Sequence, residues 1–143
     1  MYIFFDCDGV INQLQPNFYI DENCVYRLAQ LAISLGARLI MVSTWSAGFV
    51  YSLEMCTPQV RELRKLLRYE RMDICGVIRE SESRYKDIKT FLGKNLDSYL
   101  ILDDDKSLYK DVIDDNLYFV NAKTGLTEKD VKQLTKKYYK RYK

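Results

Sequence analysis

The sequence predicts an α/β fold, a doubly wound, Rossmann-like parallel sheet with helices on both faces. Three observations predict it. Strand-length apolar runs and helix-spaced stretches alternate five times along 143 residues. The run Arg38–Ser43 (RLIMVS) is apolar enough to be buried on both faces, as central parallel strands are. The polar residues that close the strands are Asp6 and Asp8, Ser43 and Thr44, and Asp103 and Asp104. All fall on one sheet edge, the edge where open parallel sheets bind ligands.

The elements run in order along the chain. Tyr2–Asp6, a run of β-formers, is the first strand. Gly9–Ile20 reads as a loop around Pro16, with room for a small hairpin. Asp21 is placed to cap a helix that carries Val25, Leu28, Leu31, Ala32 and Leu35 on one face, with Gly36 at its C′ position. Arg38–Ser43 is the second strand. Thr57-Pro58 starts the second helix, whose apolar stripe is Val60, Leu63, Leu66 and Leu67. Ile74–Ile78 is a short third strand. Ser83–Leu92 is a helix with Tyr85, Ile88, Phe91 and Leu92 inward, stopped near Gly93. Ser98–Leu102 is the fourth strand, and Leu108, Val112 and Ile113 come after it at helical spacing. Leu117–Val120 is the fifth strand, Gly125 marks a turn, and Thr127 caps a last helix with Val131, Leu134 and Tyr138 on one side.

Composition narrows the function. Apolar residues make up 48% of the chain, enough for a globular core, and residues 1–143 read as a single domain. There is no histidine. That removes zinc sites built on His and every Ser-His-Asp or Cys-His mechanism. Acid–base chemistry must then come from Asp, Glu, Lys, Tyr or Cys. The four cysteines form no CxxC pair and read as reduced thiols. The apolar N-terminus meets Asp6 too soon for a signal peptide, and no run is long enough to span a membrane. The expected setting is the cytoplasm. Net charge is +2, but Lys129, Lys132, Lys136, Lys137, Lys140, Arg141 and Lys143 crowd the last helix among Tyr138, Tyr139 and Tyr142. Such a stretch can contact nucleic acid, though a solvated basic helix face is the favoured reading.

The most informative segment is FFDCDGV. Asp6 and Asp8, at i and i+2, lie on one side of a strand and converge just past its end, where Gly9 lets the chain turn. Two convergent carboxylates there suit a hard metal ion and a phosphate.

With these residues in view, the chain resembles the haloacid dehalogenase-like (HAD) phosphohydrolase superfamily nearly end to end. The resemblance implies a HAD-like sheet of order 3-2-1-4-5. Its first motif, DxDG, is complete, which makes Asp6 the nucleophile and Asp8 the general acid/base, with the Asp8 carbonyl as a further metal ligand. The second motif is a hydroxyl closing the next strand. IMVSTW supplies Ser43, with Thr44 beside it, as phosphate-binding residues. The Ser-x-Trp pattern around Trp45 is similar to the HAD domains of the Swiss Army Knife RNA-repair group. Trp45 itself is read first as a packing residue and second as a base-stacking one. The third motif is a cation before strand four, for which both Arg84 and Lys86 are candidates; the subgroup's Arg-x-x-Glu-Ile pattern favours Arg84, with Asp87 in place of the glutamate. The fourth is the acidic pair in LILDDD, which makes Asp103 and Asp104 metal ligands together with Asp6 and Asp8, while Asp105 is placed to cap the next helix. The implied cofactor is Mg²⁺.

Only 36 residues separate Asp6 from Ser43, too few for a cap domain, so the fold is expected to be capless. A capless site admits a large substrate or is covered by a partner or dimer mate. The resemblance therefore implies a Mg²⁺-dependent phosphatase acting on a phosphomonoester through an aspartyl-phosphate on Asp6. The substrate is a nucleic-acid end or a small phosphorylated metabolite. A non-catalytic HAD-like binding module and phosphotransfer to an acceptor other than water stand as alternatives.

Overall fold

The structure is a computed structural model that describes residues 1–14, 19–81, 83–95 and 97–141. Pro16, Tyr142 and Lys143 lie outside the described residues, as do the side chains of Lys140 and Arg141. Five strands, β1 (Tyr2–Phe5), β2 (Arg38–Met41), β3 (Ile74–Val77), β4 (Tyr99–Asp103) and β5 (Leu117–Phe119), form one sheet in the order β3-β2-β1-β4-β5. Every pairing is parallel. Four α-helices cover it: α1 (Glu22–Leu35), α2 (Pro58–Tyr69), α3 (Arg84–Leu92) and α4 (Glu128–Arg141).

The period-2 alternation of side chains divides the strands between two cores. Ile3, Phe5, Leu39, Met41, Leu100 and Leu102 face one cluster with α1, α2 and α4. Phe4, Ile40 and Ile101 face the other, under Ile88 and Leu92 of α3 and Tyr109. Strands apolar on both faces, as in RLIMVS, are what a two-sided sheet requires.

The helix ends obey the expected chemistry. Asp21 accepts from the Asn23 N–H at 2.9 Å, and Gly36 closes α1 in the left-handed conformation at φ 59°. Such a side-chain cap contributes about 1 kcal/mol. At α4 the cap is reciprocal: the Asp130 N–H donates to the Thr127 hydroxyl and the Thr127 N–H to the Asp130 carboxylate. Thr57 holds the N-cap position of α2 but makes no side-chain cap bond. Pro58 supplies that start instead, because it has no N–H to satisfy.

Two expectations fail. The helical spacing of Leu108, Val112 and Ile113 does not make a helix. The chain forms a 3-10 turn over Lys106–Tyr109 and then breaks at Asp111, which takes a left-handed φ of 63°. Ile113 is fully exposed, and Tyr109 is the residue that turns inward. The turn goes that way because the Tyr109 hydroxyl bonds to the buried Asp103 carboxylate. Phe91, expected inward on α3, is 44% exposed, although its ring still packs edge-on against Tyr2 and Phe4.

No cap interrupts the described chain. Between β2 and α2 it forms two 3-10 turns, Thr44–Gly48 and Leu53–Met55. Arg64 of α2 is buried and fixes this segment, donating to the Val50 and Tyr51 carbonyls and pairing with Asp73 at 3.0 Å. Among the described residues no helix is long and apolar enough to cross a membrane.

Candidate active site

The site grows from the register of β1 and β4. Phe5 pairs with Leu102, and the Asp6 N–H donates to the Leu102 carbonyl at 2.9 Å. The next residues, Asp6 and Asp103, therefore leave adjacent strands side by side. Carboxylate oxygens of Asp6, Asp103 and Asp104 all lie within 4.8 Å of one another.

The loop after β1 is held from inside. The Val10 and Ile11 N–H groups both donate to the Cys7 carbonyl. Gly9 takes φ +83°, and a Cβ there would collide with the Asp104 carboxylate, so glycine is needed on two counts. The fully buried Asn12 spans the turn: its side-chain oxygen accepts the Gly9 N–H at 2.8 Å, and its amide donates to Asp8 Oδ1 at 3.1 Å.

Asp103 is held from both strand end and helix. Its Oδ1 accepts from the N–H groups of Asp104 and Asp105, at 2.8 and 3.1 Å. Its Oδ2 accepts from Arg84 at 2.8 Å and from the Tyr109 hydroxyl at 2.7 Å. Arg84, raised on the first turn of α3 by the Ser83 cap, also reaches Asp6 at 3.3 Å and Glu80 at 3.0 Å. Its Nε is buried and makes no hydrogen bond among the described residues.

Crowded carboxylates in a buried place hold protons. Burial first, then the Asp103 carboxylate, push the Asp6 carboxyl up to about 9, against the opposing pull of Arg84. Burial likewise raises Asp104, while a hydrogen bond from Asp6 works the other way. Burial and Asp103 keep Tyr109 protonated. The Cys7 thiol is also pushed up, chiefly by its complete burial, so it is a packed side chain and not a ready thiolate.

The structure sorts the residues expected in the site. Asp6, Asp8, Thr44, Arg84 and Asp104 line one cavity of about 470 Å³. The Asp8 carboxylate lines it without belonging to the three-carboxylate group. Ser43 is buried, and its hydroxyl accepts the Trp45 N–H at 3.1 Å as the cap of the first 3-10 turn. Trp45 packs into the core. Lys86 lies apart from Asp6, beside a separate cavity lined by Val77, Arg79, Ser81 and Phe91. Asp105 caps the Lys106–Tyr109 turn.

Asn12, Tyr109 and Glu80 were not anticipated. Asn12 had a readable signal, a lone amide closing the apolar Val10-Ile11 pair. Tyr109 had none, because its role depends on the broken helix.

A model of the family described as the HAD domain in Swiss Army Knife RNA repair proteins matches residues 2–131. The chain belongs to this family. No curated protein and no solved structure matches it. Membership in this HAD family supports a phosphohydrolase-type, RNA-repair-related role. The HAD domain's acidic cluster also fits a hard cation. Its donors are all carboxylate oxygens, which suit Mg²⁺, and Arg84 offsets only part of their charge.

Proposed function

We propose that the protein is a Mg²⁺-dependent phosphatase that cleaves a phosphomonoester through an aspartyl-phosphate on Asp6. The observation that carries this reading is the grouping of Asp6, Asp103 and Asp104 opposite Arg84, in a cavity that also takes in Asp8 and Thr44. Asp6, Asp103 and Asp104, with the Asp8 carbonyl, would hold the metal, which would offset the repulsion between carboxylate and phosphate.

An Asp6 carboxylate oxygen attacks phosphorus, and the bond from phosphorus to the leaving oxygen breaks. The Asp8 carboxylic acid gives its proton to that oxygen as it departs. Asp8, now a carboxylate, takes a proton from a water molecule that attacks the phosphoryl group, and Asp6 is released with inorganic phosphate. Arg84 and Thr44 hold the phosphoryl oxygens. Arg84 is the third-motif cation, since it contacts both Asp6 and Asp103 while Lys86 faces another cavity. The RNA-repair context of the family favours a polynucleotide end as substrate.

The test is Mg²⁺-dependent phosphate release from an aryl phosphate by wild type and Asp6→Asn, and then from 3′- and 5′-phosphorylated oligonucleotides. Activity that requires metal and disappears in the variant supports the mechanism. A folded wild type that binds Mg²⁺ but labels no Asp6 with any phosphate donor overturns it in favour of a non-catalytic module.

A further inference from the structure

The cavity has two unlike sides, and the side away from the carboxylates restricts what can leave. Among the described residues, its lining beyond Asp6, Asp8, Thr44, Arg84, Asp104 and Asp105 is Leu14, Leu108 and Ala122. Leu14 and Leu108 are large apolar side chains left 47% and 38% exposed at this rim. Neither is a stray surface residue. Leu14 belongs to the loop that carries Asp8, and its N–H is tied to the Ala122 carbonyl at 2.9 Å. Leu108 sits on the turn anchored by the bond from Tyr109 to Asp103. Both are therefore fixed relative to the nucleophile and the acid.

Charge points the same way. Among the described residues the cavity is lined by four carboxylates, Asp6, Asp8, Asp104 and Asp105, and by one cation, Arg84. Arg84 is already committed to Asp6, Asp103 and Glu80. The sequence from Gly9 to Tyr26 contains no Lys or Arg, so the Asp8 loop has no cation to offer a second anionic group. Beyond the metal-holding carboxylates, a leaving group bearing a carboxylate or a further phosphate would meet Asp105, Leu14 and Leu108. A neutral group with an apolar face would meet two leucines and an alanine, which gain by losing water.

We infer that the substrate of this site is a monoester whose leaving group presents an uncharged, apolar face to Leu14 and Leu108 at the rim. This rests on the phosphatase reading and narrows it. Bisphosphates and phosphorylated carboxylic acids are disfavoured. A nucleic-acid end qualifies when its terminal nucleoside, and not its next phosphodiester, occupies the rim.

The experiment compares kcat/KM for benzyl phosphate, glycerol 3-phosphate and 2-phosphoglycolate, with acetyl phosphate as a substrate that barely reaches the rim. Benzyl phosphate is expected to exceed glycerol 3-phosphate by roughly tenfold, the scale of a small apolar contact. The carboxylate-bearing ester is expected to fall at least another order of magnitude behind, because its second anion is left unpaired. The Leu14→Asn/Leu108→Asn double variant should bring the benzyl-to-glycerol ratio close to one. Equal rates for all three esters in the wild type, or a ratio unmoved by the double variant, overturn the inference. Hydrolysis is judged separately by acetyl phosphate, and its absence counts against the phosphatase reading alone. Calorimetry with Mg²⁺ then decides the inference without turnover: benzylphosphonate must bind more tightly than phosphonoacetate, and the reverse order refutes it.

Discussion

Replacing Asp6 by asparagine should change the pH dependence of stability in a calculable way. Burial and the neighbouring Asp103 carboxylate raise the Asp6 carboxyl from 3.8 to about 9. In the metal-free native state it keeps its proton at neutral pH, whereas in the unfolded chain it has lost it. A raised native pKa stabilises below the unfolded value, and that stabilisation is lost as pH rises toward the native one. Between about pH 4 and 9 the native state binds one more proton than the unfolded state. Stability should then fall by about 1.4 kcal/mol per pH unit from this group. From pH 6 to pH 8 the loss is about 3 kcal/mol. Asp6→Asn carries no titrating group and should lack this slope. The assay is urea unfolding of wild type and Asp6→Asn at both pH values, in chelator and then in excess Mg²⁺. In chelator the variant should gain on the wild type as pH rises. Bound metal should stabilise the wild type more at pH 8 than at pH 6, by replacing the proton. Parallel pH profiles for the two proteins in chelator would refute the reasoning.

Three further perturbations have defined outcomes. Gly9→Ala strains a positive φ and drives a methyl into Asp104, so Mg²⁺ affinity measured by calorimetry should fall at least tenfold, with about 1–3 kcal/mol of stability lost. Arg84→Met leaves Asp6 and Asp103 without their cation, and unfolding should show a loss of about 3–5 kcal/mol at pH 8, because a buried pair is broken on one side. Asn12→Ala frees the Asp8 carboxyl and orphans the Gly9 N–H. If Asp8 protonates the departing oxygen as proposed, turnover of alkyl phosphates should fall at least tenfold more than turnover of nitrophenyl phosphate, and an equal fall for both would show only general damage.

Much of this was readable from the sequence, for physical reasons. Burial on both faces makes RLIMVS conspicuous, and strand alternation with DCDG at a strand end places Asp6 without coordinates. The strand order became legible only through the family resemblance, since periodicity does not say which strands pair. The stretch after β4 misled because three apolar residues can share a spacing without sharing a helix. A buried hydrogen bond from Tyr109 outweighed that pattern. Spacing alone left both Arg84 and Lys86 open, and only the family pattern favoured Arg84. They stand on one helix turn, and only the direction of that turn puts Arg84 over Asp6. Arg64 was hidden for a similar reason, because its partners Val50, Tyr51 and Asp73 come from loops on either side of α2.

The pairing of Phe5 with Leu102 bears on how the chain folds. Asp6 and Asp103 belong to strands far apart in sequence, and a parallel pair must wait for its long crossovers to close. The carboxylate cluster therefore comes into being only when β4 docks beside β1 in the correct register. A slip of a single residue would carry Asp103 to the opposite face of the sheet. High-affinity divalent-ion binding during refolding should then appear late, with the central pairing and not with the helices, and would time the completion of the sheet.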